Sequence, residues 1–393
     1  MSMLGKGAYS FVETYEVNGV TYARKVLRLR PEAASKEYGI PSVFVREVAV
    51  LKRLSHPNIV SLIDVELDVE VKIYNIILPL ARCDLLRFIT EAKFDPKGIL
   101  FDIAQGLLYL QEKKIYHSDV KPDNILVFPE GEGYRAAIAD FGHCSIDFVE
   151  GTLPTLISTR TYRAPEVQLA TANHFTTPCN VGFATMVWSF GCILYAIYEK
   201  RRAFRIEGVY SALKMTIDIS NKIGVTSEEL SRIVLDYPSL EAQLSQNERT
   251  LRVQDQAADL LLSKCLKFNP KERISLSDIC KHTYFSSLVA PPLTLGFAQV
   301  EEEYKRDHEA VRFLRPFMAK RVILAKVSVL YDRVVADFDR SEKKEVAVAC
   351  LCIVSKLHSS CEDLKEDCDD DGLKESRIAI IEERILKLVD YTL

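Results

Sequence analysis

One short polar stretch, His117–Asn124, constrains this chain more than any other feature of its sequence. Its residues, HSDVKPDN, lie between the apolar runs Ile115–Tyr116 and Ile125–Val127, which are typical of strands. The stretch carries a carboxylate, a lysine and an amide at neighbouring positions. A carboxylate can accept a hydroxyl proton, a lysine can offset developing phosphate charge, and an amide oxygen can bind Mg²⁺. We therefore interpret the stretch as a catalytic loop.

Further motifs surround this loop in a definite order. The glycine-rich segment Gly5-Lys6-Gly7 precedes Lys25 on the next predicted strand and Glu47 on the helix after it. Downstream, Asp140-Phe141-Gly142 begins sixteen residues after the polar stretch ends, and Ala164-Pro165-Glu166 follows it. Each motif is weak when it is taken alone. In this order the motifs resemble the signature set of protein kinases.

The resemblance implies an α+β, bilobal protein-kinase fold that transfers the γ-phosphoryl group of ATP with the help of Mg²⁺. Asp119 would accept or orient the hydroxyl proton, and Lys121 would neutralise charge on the transferred group. Lys25, held by Glu47, would position the α- and β-phosphates. The catalytic residues implied are Asp119, Lys121, Asn124 and Thr159, and the Mg²⁺ ligands are Asn124 and Asp140. The residues expected to contact ATP are Leu4, Gly5, Gly7, Val12, Ala23, Lys25, Glu47, Leu78, Leu80, Asp84, Leu126 and Asp140.

A narrower likeness comes from the segment Gly39–Glu47 (GIPSVFVRE), which resembles the PSTAIRE helix of cyclin-dependent kinases. The segments TRTYRAPE and Asp259–Phe285 fit the wider group that contains those kinases. The resemblance covers residues 1–285, divided into an N-lobe (1–78) and a C-lobe (79–285). It implies Ser/Thr-Pro protein substrates, because Arg163 belongs to the pattern that accompanies proline after the target residue. Tyr9 matches an inhibitory phosphorylation position.

The C-terminal part of the chain, residues 304–393, is called the tail. It follows a predicted linker (286–303) and shows three apolar stripes with helical spacing. The tail resembles a shortened, all-α cyclin box, in which Lys356 and Glu382 match residues that contact the kinase. We expect it to activate the kinase within the same chain. Docking between two chains, a separate cyclin partner and an unrelated helical bundle are the alternatives, and the fusion suggests a compact, viral genome.

Several positions depart from the kinase pattern. Ser118 replaces an arginine that normally pairs with phosphate on the activation segment, the stretch between Asp140-Phe141-Gly142 and Ala164-Pro165-Glu166. Ser145 replaces a second such arginine, which leaves Arg46. Pro154 stands where the phosphorylated threonine is expected. The nearby candidates for phosphorylation are Thr152 and Thr155. We therefore expect activity without phosphorylation of this segment.

Two more departures support a rival interpretation. Met186 stands where an aspartate usually anchors the catalytic loop, and Ser10 replaces the third glycine of the glycine-rich segment. A pseudokinase scaffold, which binds partners without turnover, would tolerate both changes. The retained base, phosphate and Mg²⁺ residues favour an active enzyme.

Charge and composition limit the remaining possibilities. The 51 basic and 55 acidic residues give a net charge of −4, which argues against a nucleic-acid binder. No run approaches the roughly 20 apolar residues of a membrane span, and no secretory signal is visible, so we expect a cytoplasmic or nuclear protein. The ten cysteines show no zinc spacing, and we expect them to be reduced core residues.

Overall fold

The structure is a computed structural model that describes a defined part of the chain. The described residues are 2–6, 10–27, 40–148, 159–172, 181–205, 212–225, 248–288, 327, 330–331, 333–338, 342–357 and 375–389. Four predicted residues lie outside this part: Gly7, Tyr9, Thr152 and Thr155. Most of the predicted linker lies outside it as well. The domain boundaries proposed from the sequence therefore stay predictions.

The N-terminal region is an antiparallel five-stranded sheet with the strand order β1-β2-β3-β5-β4. Its strands are β1 (Met3–Lys6), β2 (Ser10–Val17), β3 (Val20–Leu27), β4 (Asp64–Asp68) and β5 (Ile73–Pro79). Asn18 and Gly19 join β2 to β3 and both have positive φ, 51° and 78°. This is the hairpin turn that an Asn-Gly pair favours, and it fixes the register that places Lys25 opposite Val12.

Helix α1 (Ser42–Arg53) is buried on every side. All eight residues from Phe44 to Leu51 are at most 5% exposed. Eight residues make more than two turns, so they include every face of the helix. A helix that packs on one sheet buries only one stripe of its surface. A second layer must therefore cover the other side of α1.

The larger region after β5 is mostly helical. Its helices are α2 (Leu85–Glu91), α3 (Pro96–Glu112), α4 (Pro165–Ala172), α5 (Ala184–Glu199), α6 (Ala212–Ile223), α7 (Gln256–Cys265) and α8 (Leu276–Cys280). Its short strands are β6 (Cys83–Asp84), β7 (Tyr116–His117), β8 (Ile125–Glu130), β9 (Gly133–Ile138) and β10 (Cys144–Ser145). Helix α5 runs through the core, where Trp188 stacks on Phe204 at 5.5 Å. The small sheet-rich lobe and the large helical lobe form the bilobal architecture that the sequence predicted.

The described part of the tail contains helices α9 (Lys343–Leu357) and α10 (Glu375–Leu388). They coincide with the second and third apolar stripes of the tail. Val346 to Val354 of α9 are all at most 5% exposed. Helix α9 packs both on α10 and on α1. It therefore belongs to the layer that covers the outer side of α1.

One predicted strand is shorter than expected. The sequence pattern indicated a strand over Ile59–Val69, but the strand begins at Asp64. Ile59 instead forms an isolated bridge with Ile138, and the Val60 N–H donates to the Ile138 carbonyl at 2.9 Å. The apolar residues at 59 and 60 are buried because this segment packs against the C-lobe at Ile138. An apolar run in the sequence does not distinguish such a packed segment from a strand.

Within the described residues, no helix combines the length and the apolar character needed to cross a bilayer. Seven cysteines of this part form no disulfide, as expected from the sequence. Cys144, Cys192, Cys265 and Cys350 are fully buried, and burial raises the pKa of each thiol. They behave as small core residues.

Candidate active site

The cleft between the lobes contains a cluster of three charged side chains, of which Lys25 and Glu47 are buried. The Lys25 Nζ lies on β3 and donates to both carboxylate oxygens of Glu47, at 2.8 and 2.7 Å. It also donates to Asp140 Oδ1 at 2.7 Å. Glu47 comes from α1, and Asp140 comes from the loop after β9. One ammonium group therefore joins the sheet, helix α1 and the C-lobe.

The charges of this cluster depend on one another. Burial disfavours the ammonium form of Lys25, but Asp140 and Glu47 outweigh it and raise the Lys25 pKa above its ordinary value. The charge of Lys25 holds the pKa of Asp140 well below its usual range. Burial raises the pKa of Glu47, although Lys25 opposes that shift. Removal of Lys25 would leave the buried Glu47 carboxylate without a counter-charge.

The backbone after β9 brings Asp140 to this cluster through an unusual conformation. Asp140 has a φ of 65°, in the left-handed region that Asp tolerates better than most residues. Two residues later, a Cβ on Gly142 would lie 2.5 Å from Val43 Cγ1. Only glycine permits this close approach between the loop and α1. The sequence singled out Gly142 within a motif but gave no sign of its contact with Val43.

The predicted catalytic loop is held by a second set of polar contacts. Asp119 Oδ2 accepts from Lys121 Nζ at 2.5 Å, and Asp119 Oδ1 accepts from the Thr159 N–H at 2.7 Å. Lys121 Nζ also donates to Thr159 Oγ1 at 2.9 Å. Burial would raise the pKa of Asp119, but Lys121 and the Thr159 N–H outweigh it and lower that pKa. Asp119 is therefore an ionised acceptor that its neighbours hold in place.

Asn124 and Asp140 are suited to bind a divalent cation. The Asn124 Nδ2 donates to the Asp119 carbonyl at 2.8 Å, so its side-chain oxygen is turned away from that bond. Asp140 keeps 40% of its side chain exposed although it pairs with Lys25. Carboxylate and amide oxygens are the ligands that Mg²⁺ prefers, and Mg²⁺ usually takes one or two protein carboxylates beside phosphates and water. The donor set therefore fits the predicted cation.

The residues predicted to surround adenine differ in burial. Ala23 and Leu78 face each other across β3 and β5 and are 8% and 6% exposed. Leu4 and Leu80 are 48% and 37% exposed. The other predicted positions on this wall are Gly5 and Val12, which pair across β1 and β2, and Leu126 on β8, which pairs with Asp84.

Asp84 is the N-cap residue of helix α2. Its side chain accepts from the Arg87 N–H at 2.8 Å and thereby caps helix α2. A capped helix N-terminus fixes the side chain at the mouth of the cleft. The structure therefore places Asp84 beside Leu126, and its predicted contact with ribose stays a prediction.

Two departures from the kinase pattern have local substitutes. Met186 is buried, and the preceding residue of α5, Thr185, brings its hydroxyl to 2.8 Å from the Tyr116 hydroxyl. Tyr116 directly precedes the catalytic loop. Ser118 Oγ donates to the His143 carbonyl at 2.8 Å. Sequence reasoning missed both contacts, because a hydroxyl at these positions gives no pattern that separates it from an ordinary polar residue.

The tail reaches the N-lobe through two adjacent glutamates on α10. Glu382 is fully buried and accepts from the Ile40 N–H at 2.8 Å, just before α1 begins. Glu383 accepts from the Val69 N–H at 3.0 Å, just after β4. Lys356 lies on α9, but its side chain is outside the described part of the chain. The sequence singled out Glu382 and missed Glu383.

Comparison with known proteins gives matches to a family model and to curated proteins. A family model described as protein kinase domain matches residues 1–285. A curated protein of Encephalitozoon cuniculi (strain GB-M1), named "Probable CTD kinase subunit alpha homolog", is 31% identical over 291 residues. That alignment covers 72% of this chain and 82% of the relative. Residues 304–393, the tail, lie outside the family match.

Proposed function

This chain belongs to the protein kinase family, and from that premise we propose that it is a serine/threonine kinase of the cyclin-dependent type. It transfers the γ-phosphoryl group of ATP to Ser or Thr followed by proline. The observation that carries the proposal is the bridge from Lys25 to both Glu47 and Asp140. This bridge supports an active arrangement, because the residues for phosphate binding and for cation binding are already joined.

The residues of the chain divide the chemistry between them. A bound divalent cation neutralises charge on the phosphates, and Asn124 and Asp140 are the residues that would hold it. Lys25 positions the α- and β-phosphates. Lys121 lies between Asp119 and Thr159, where it offsets charge on the transferred group. Such catalysis consists mainly of positioning and electrostatic stabilisation.

Asp119 acts on the substrate hydroxyl. Its lowered pKa makes it a weak base, so it orients the hydroxyl by accepting its hydrogen bond. The proton transfers to it late, when the hydroxyl has begun to bond to phosphorus and has become acidic. The Thr159 N–H holds Asp119 in this position throughout.

The substrate class rests on the resemblance and on the relative. The name of the relative refers to a CTD kinase. Arg163 lies next to the segment that contains Thr159, and burial lowers its pKa while Asp119 opposes the shift. A guanidinium close to the catalytic carboxylate supports a role of Arg163 in shaping the substrate groove. We propose Ser/Thr-Pro proteins as the substrates.

A phosphoryl-transfer assay tests the proposed activity. The full chain is incubated with radiolabelled ATP, Mg²⁺ and peptides that contain Ser-Pro, Thr-Pro, Ser-Ala or Tyr-Pro. We expect label on the first two peptides, a loss of at least about 1000-fold in Asp119→Asn, and near-normal transfer in Asp123→Asn. Asp123 is an exposed carboxylate of the same loop and serves as the matched control.

The outcomes of this assay separate the candidate functions. Equal labelling of Ser-Ala and Ser-Pro would remove the proline preference, and labelling of Tyr-Pro would remove the Ser/Thr preference. Transfer that is no higher than in Asp119→Asn would favour the pseudokinase scaffold.

We also propose that the tail is a cyclin-box-like domain that activates the kinase within one chain. Burial of α1 on all sides supports a covering role for α9. Glu382 holds Ile40 just before α1, and Glu383 holds Val69 just after the edge strand β4, so the tail contacts both the start of α1 and the sheet beside it. Contacts with both elements favour a fixed, inward position of α1. A compact, viral source of the chain stays a prediction.

A matched pair of variants tests this activation. Glu382→Ala leaves the buried Ile40 N–H without its acceptor, and we expect about a tenfold lower kcat. Arg384→Gln changes a residue two positions further along the same helix, where Arg384 pairs with Glu342 of the tail, and we expect less than a twofold change. Equal activity of both variants and wild type would contradict activation by the tail.

Protein concentration distinguishes the remaining arrangements. Activation within one chain makes turnover per molecule independent of enzyme concentration. Docking between two chains makes turnover fall on dilution, in parallel with dissociation of a dimer in sedimentation experiments. A need for a separate cyclin would appear as a full chain that is inactive alone at every concentration.

A further inference from the structure

Ser118 joins the catalytic loop to the first residues of the activation segment. It directly precedes Asp119, and its hydroxyl donates to the carbonyl of His143 at 2.8 Å. Ser118 is 7% exposed, so water competes little for this bond. A buried hydroxyl that bonds a carbonyl of a distant segment fixes the two backbones relative to each other. The bond lies one residue from the carboxylate that carries out the proposed chemistry.

Neighbouring contacts hold the same two segments together. Strand β10 pairs with β7, so that Cys144 faces His117 and Ser145 faces Tyr116. Beyond β10, the Phe148 N–H donates to the Lys114 carbonyl at 2.8 Å. The Phe148 ring stacks on Tyr116 with centroids 4.6 Å apart. The described start of the segment, residues 141–148, is therefore attached along its length.

These contacts are neutral. A hydroxyl–carbonyl bond, a short strand pair and a stacked ring pair need no anion to complete them. Cys144, Ile146 and Phe148 are at most 6% exposed, so apolar burial adds to the attachment. The arginine that the kinase resemblance implies at position 118 would instead bring a positive charge that requires an acidic or phosphorylated partner.

We propose that Ser118 is a positioning residue that holds residues 141–148, the described start of the activation segment, against the catalytic loop without phosphorylation of that segment. The inference rests on the proposed kinase function. It assigns to the Ser118–His143 bond the positioning that a phosphate–arginine contact would otherwise give. Ser118 does not touch the substrate, so its loss lowers turnover through the placement of Asp119 and leaves the binding of ATP unchanged.

The test compares three variants of the full chain with wild type. Ser118→Ala removes the hydroxyl, Ser118→Thr keeps it, and Ser118→Arg introduces the charge. We expect kcat about threefold to tenfold lower in Ser118→Ala with an unchanged KM for ATP, and near-normal kcat in Ser118→Thr. Ser118→Arg loses more activity than Ser118→Ala. Treatment of wild type with phosphatase leaves its activity unchanged.

Hydrogen exchange gives a second readout that needs no turnover. In the nucleotide-free chain, the Phe148 amide is expected to exchange about threefold to tenfold faster in Ser118→Ala and to keep its wild-type rate in Ser118→Thr. The amide of Ile138, which lies outside the attached segment, serves as the internal control.

The outcomes separate this inference from the proposed function. Wild-type activity with no effect of Ser118→Ala on kcat or on exchange would overturn the role of Ser118. A loss of wild-type activity after phosphatase treatment would overturn independence from phosphorylation. Absence of phosphoryl transfer in wild type, together with faster exchange in Ser118→Ala, would overturn the kinase function and leave the Ser118 contact in place.

Discussion

Helix α1 has two sides that are stabilised in different ways. The side that faces the cleft presents Glu47 to Lys25 and Asp140, so it is held by buried charge. The side that faces the tail is covered by apolar residues of α9, and glutamates of α10 accept from backbone N–H groups before α1 and after β4. A charge cluster depends on the placement of each member, so the loss of one changes the charge balance of the others. Apolar packing tolerates single changes that conserve side-chain volume.

The difference suggests a division of labour. The charged side determines whether the cleft can bind phosphates, and the packed side determines the position of α1. Single changes on the charged side should therefore reduce activity more than single changes on the packed side. The following predictions test this ranking.

The largest effect is expected from Glu47→Gln. The amide keeps the shape of the side chain but leaves Lys25 with one carboxylate, and we expect kcat to fall about 100-fold or more. Glu13→Gln is the matched control, because Glu13 forms an ion pair with Arg24 on the adjacent position of β3. Steady-state kinetics with a Thr-Pro peptide measure both variants. Similar losses in the two variants would contradict a special role of the buried cluster.

A steric change where Gly142 contacts α1 should lower kcat by a smaller factor. In Gly142→Ala, the new Cβ meets Val43 Cγ1 at 2.5 Å, so the Val43 side chain or the backbone that carries it must move. We expect kcat to fall about tenfold. The double variant Gly142→Ala/Val43→Ala relieves the contact and should recover most of the activity. Failure of the second change to restore activity would show that Gly142 is needed for another reason.

On the packed side, Glu383→Gln should have a modest effect. The amide oxygen of Gln can still accept from the Val69 N–H, so we expect kcat to change by less than about threefold. Glu383→Ala removes the acceptor and should speed hydrogen exchange at the Val69 amide. A fall in kcat in Glu383→Gln as large as that in Glu47→Gln would contradict the ranking of the two sides.

The smallest effect is expected for Asp102, a carboxylate on α3, and concerns the stability of the fold. Burial raises the pKa of Asp102 to about 6, although the Ala136 N–H and Asn58 oppose the shift. Because the folded-state pKa is above the ordinary value of about 3.9, Asp102 stabilises the fold at low pH and loses this effect as the pH rises through 6.

Asp102→Asn should therefore raise the Tm by about 2–4 °C at pH 7.5 and change it little at pH 4.5. Asp95→Asn, at the exposed N-cap of α3, is the control for the loss of a carboxylate from the same helix. Thermal unfolding followed by circular dichroism measures both. A larger gain in Tm of Asp102→Asn at pH 4.5 than at pH 7.5 would contradict this prediction.

The sequence predicted the cleft better than the tail interface for a physical reason. The catalytic loop, Asp140 and Glu47 belong to short motifs whose residue types follow from their chemistry. The contacts of Glu383 with Val69 and of Gly142 with Val43 depend on tertiary approach between segments far apart in the chain. No local pattern encodes the distance between such segments.

The predicted elements show the same limit. The Asn18-Gly19 turn fixed the β2–β3 register, and two of the apolar stripes in the tail coincide with α9 and α10. The run after Ile59 was assigned wholly to a strand, but its first residues pack on the C-lobe beside Ile138. An apolar run indicates that its residues are buried. The part of the core against which they pack depends on the surrounding fold.

The most direct test of the account is phosphoryl transfer by the purified full chain with no other protein present. Turnover on a Thr-Pro peptide is measured at several enzyme concentrations for wild type, Asp119→Asn and Glu382→Ala. The account predicts wild-type turnover that is independent of concentration, falls to background in Asp119→Asn and is about tenfold lower in Glu382→Ala. Transfer that occurs only after a separate cyclin is added, or never exceeds Asp119→Asn, would contradict it.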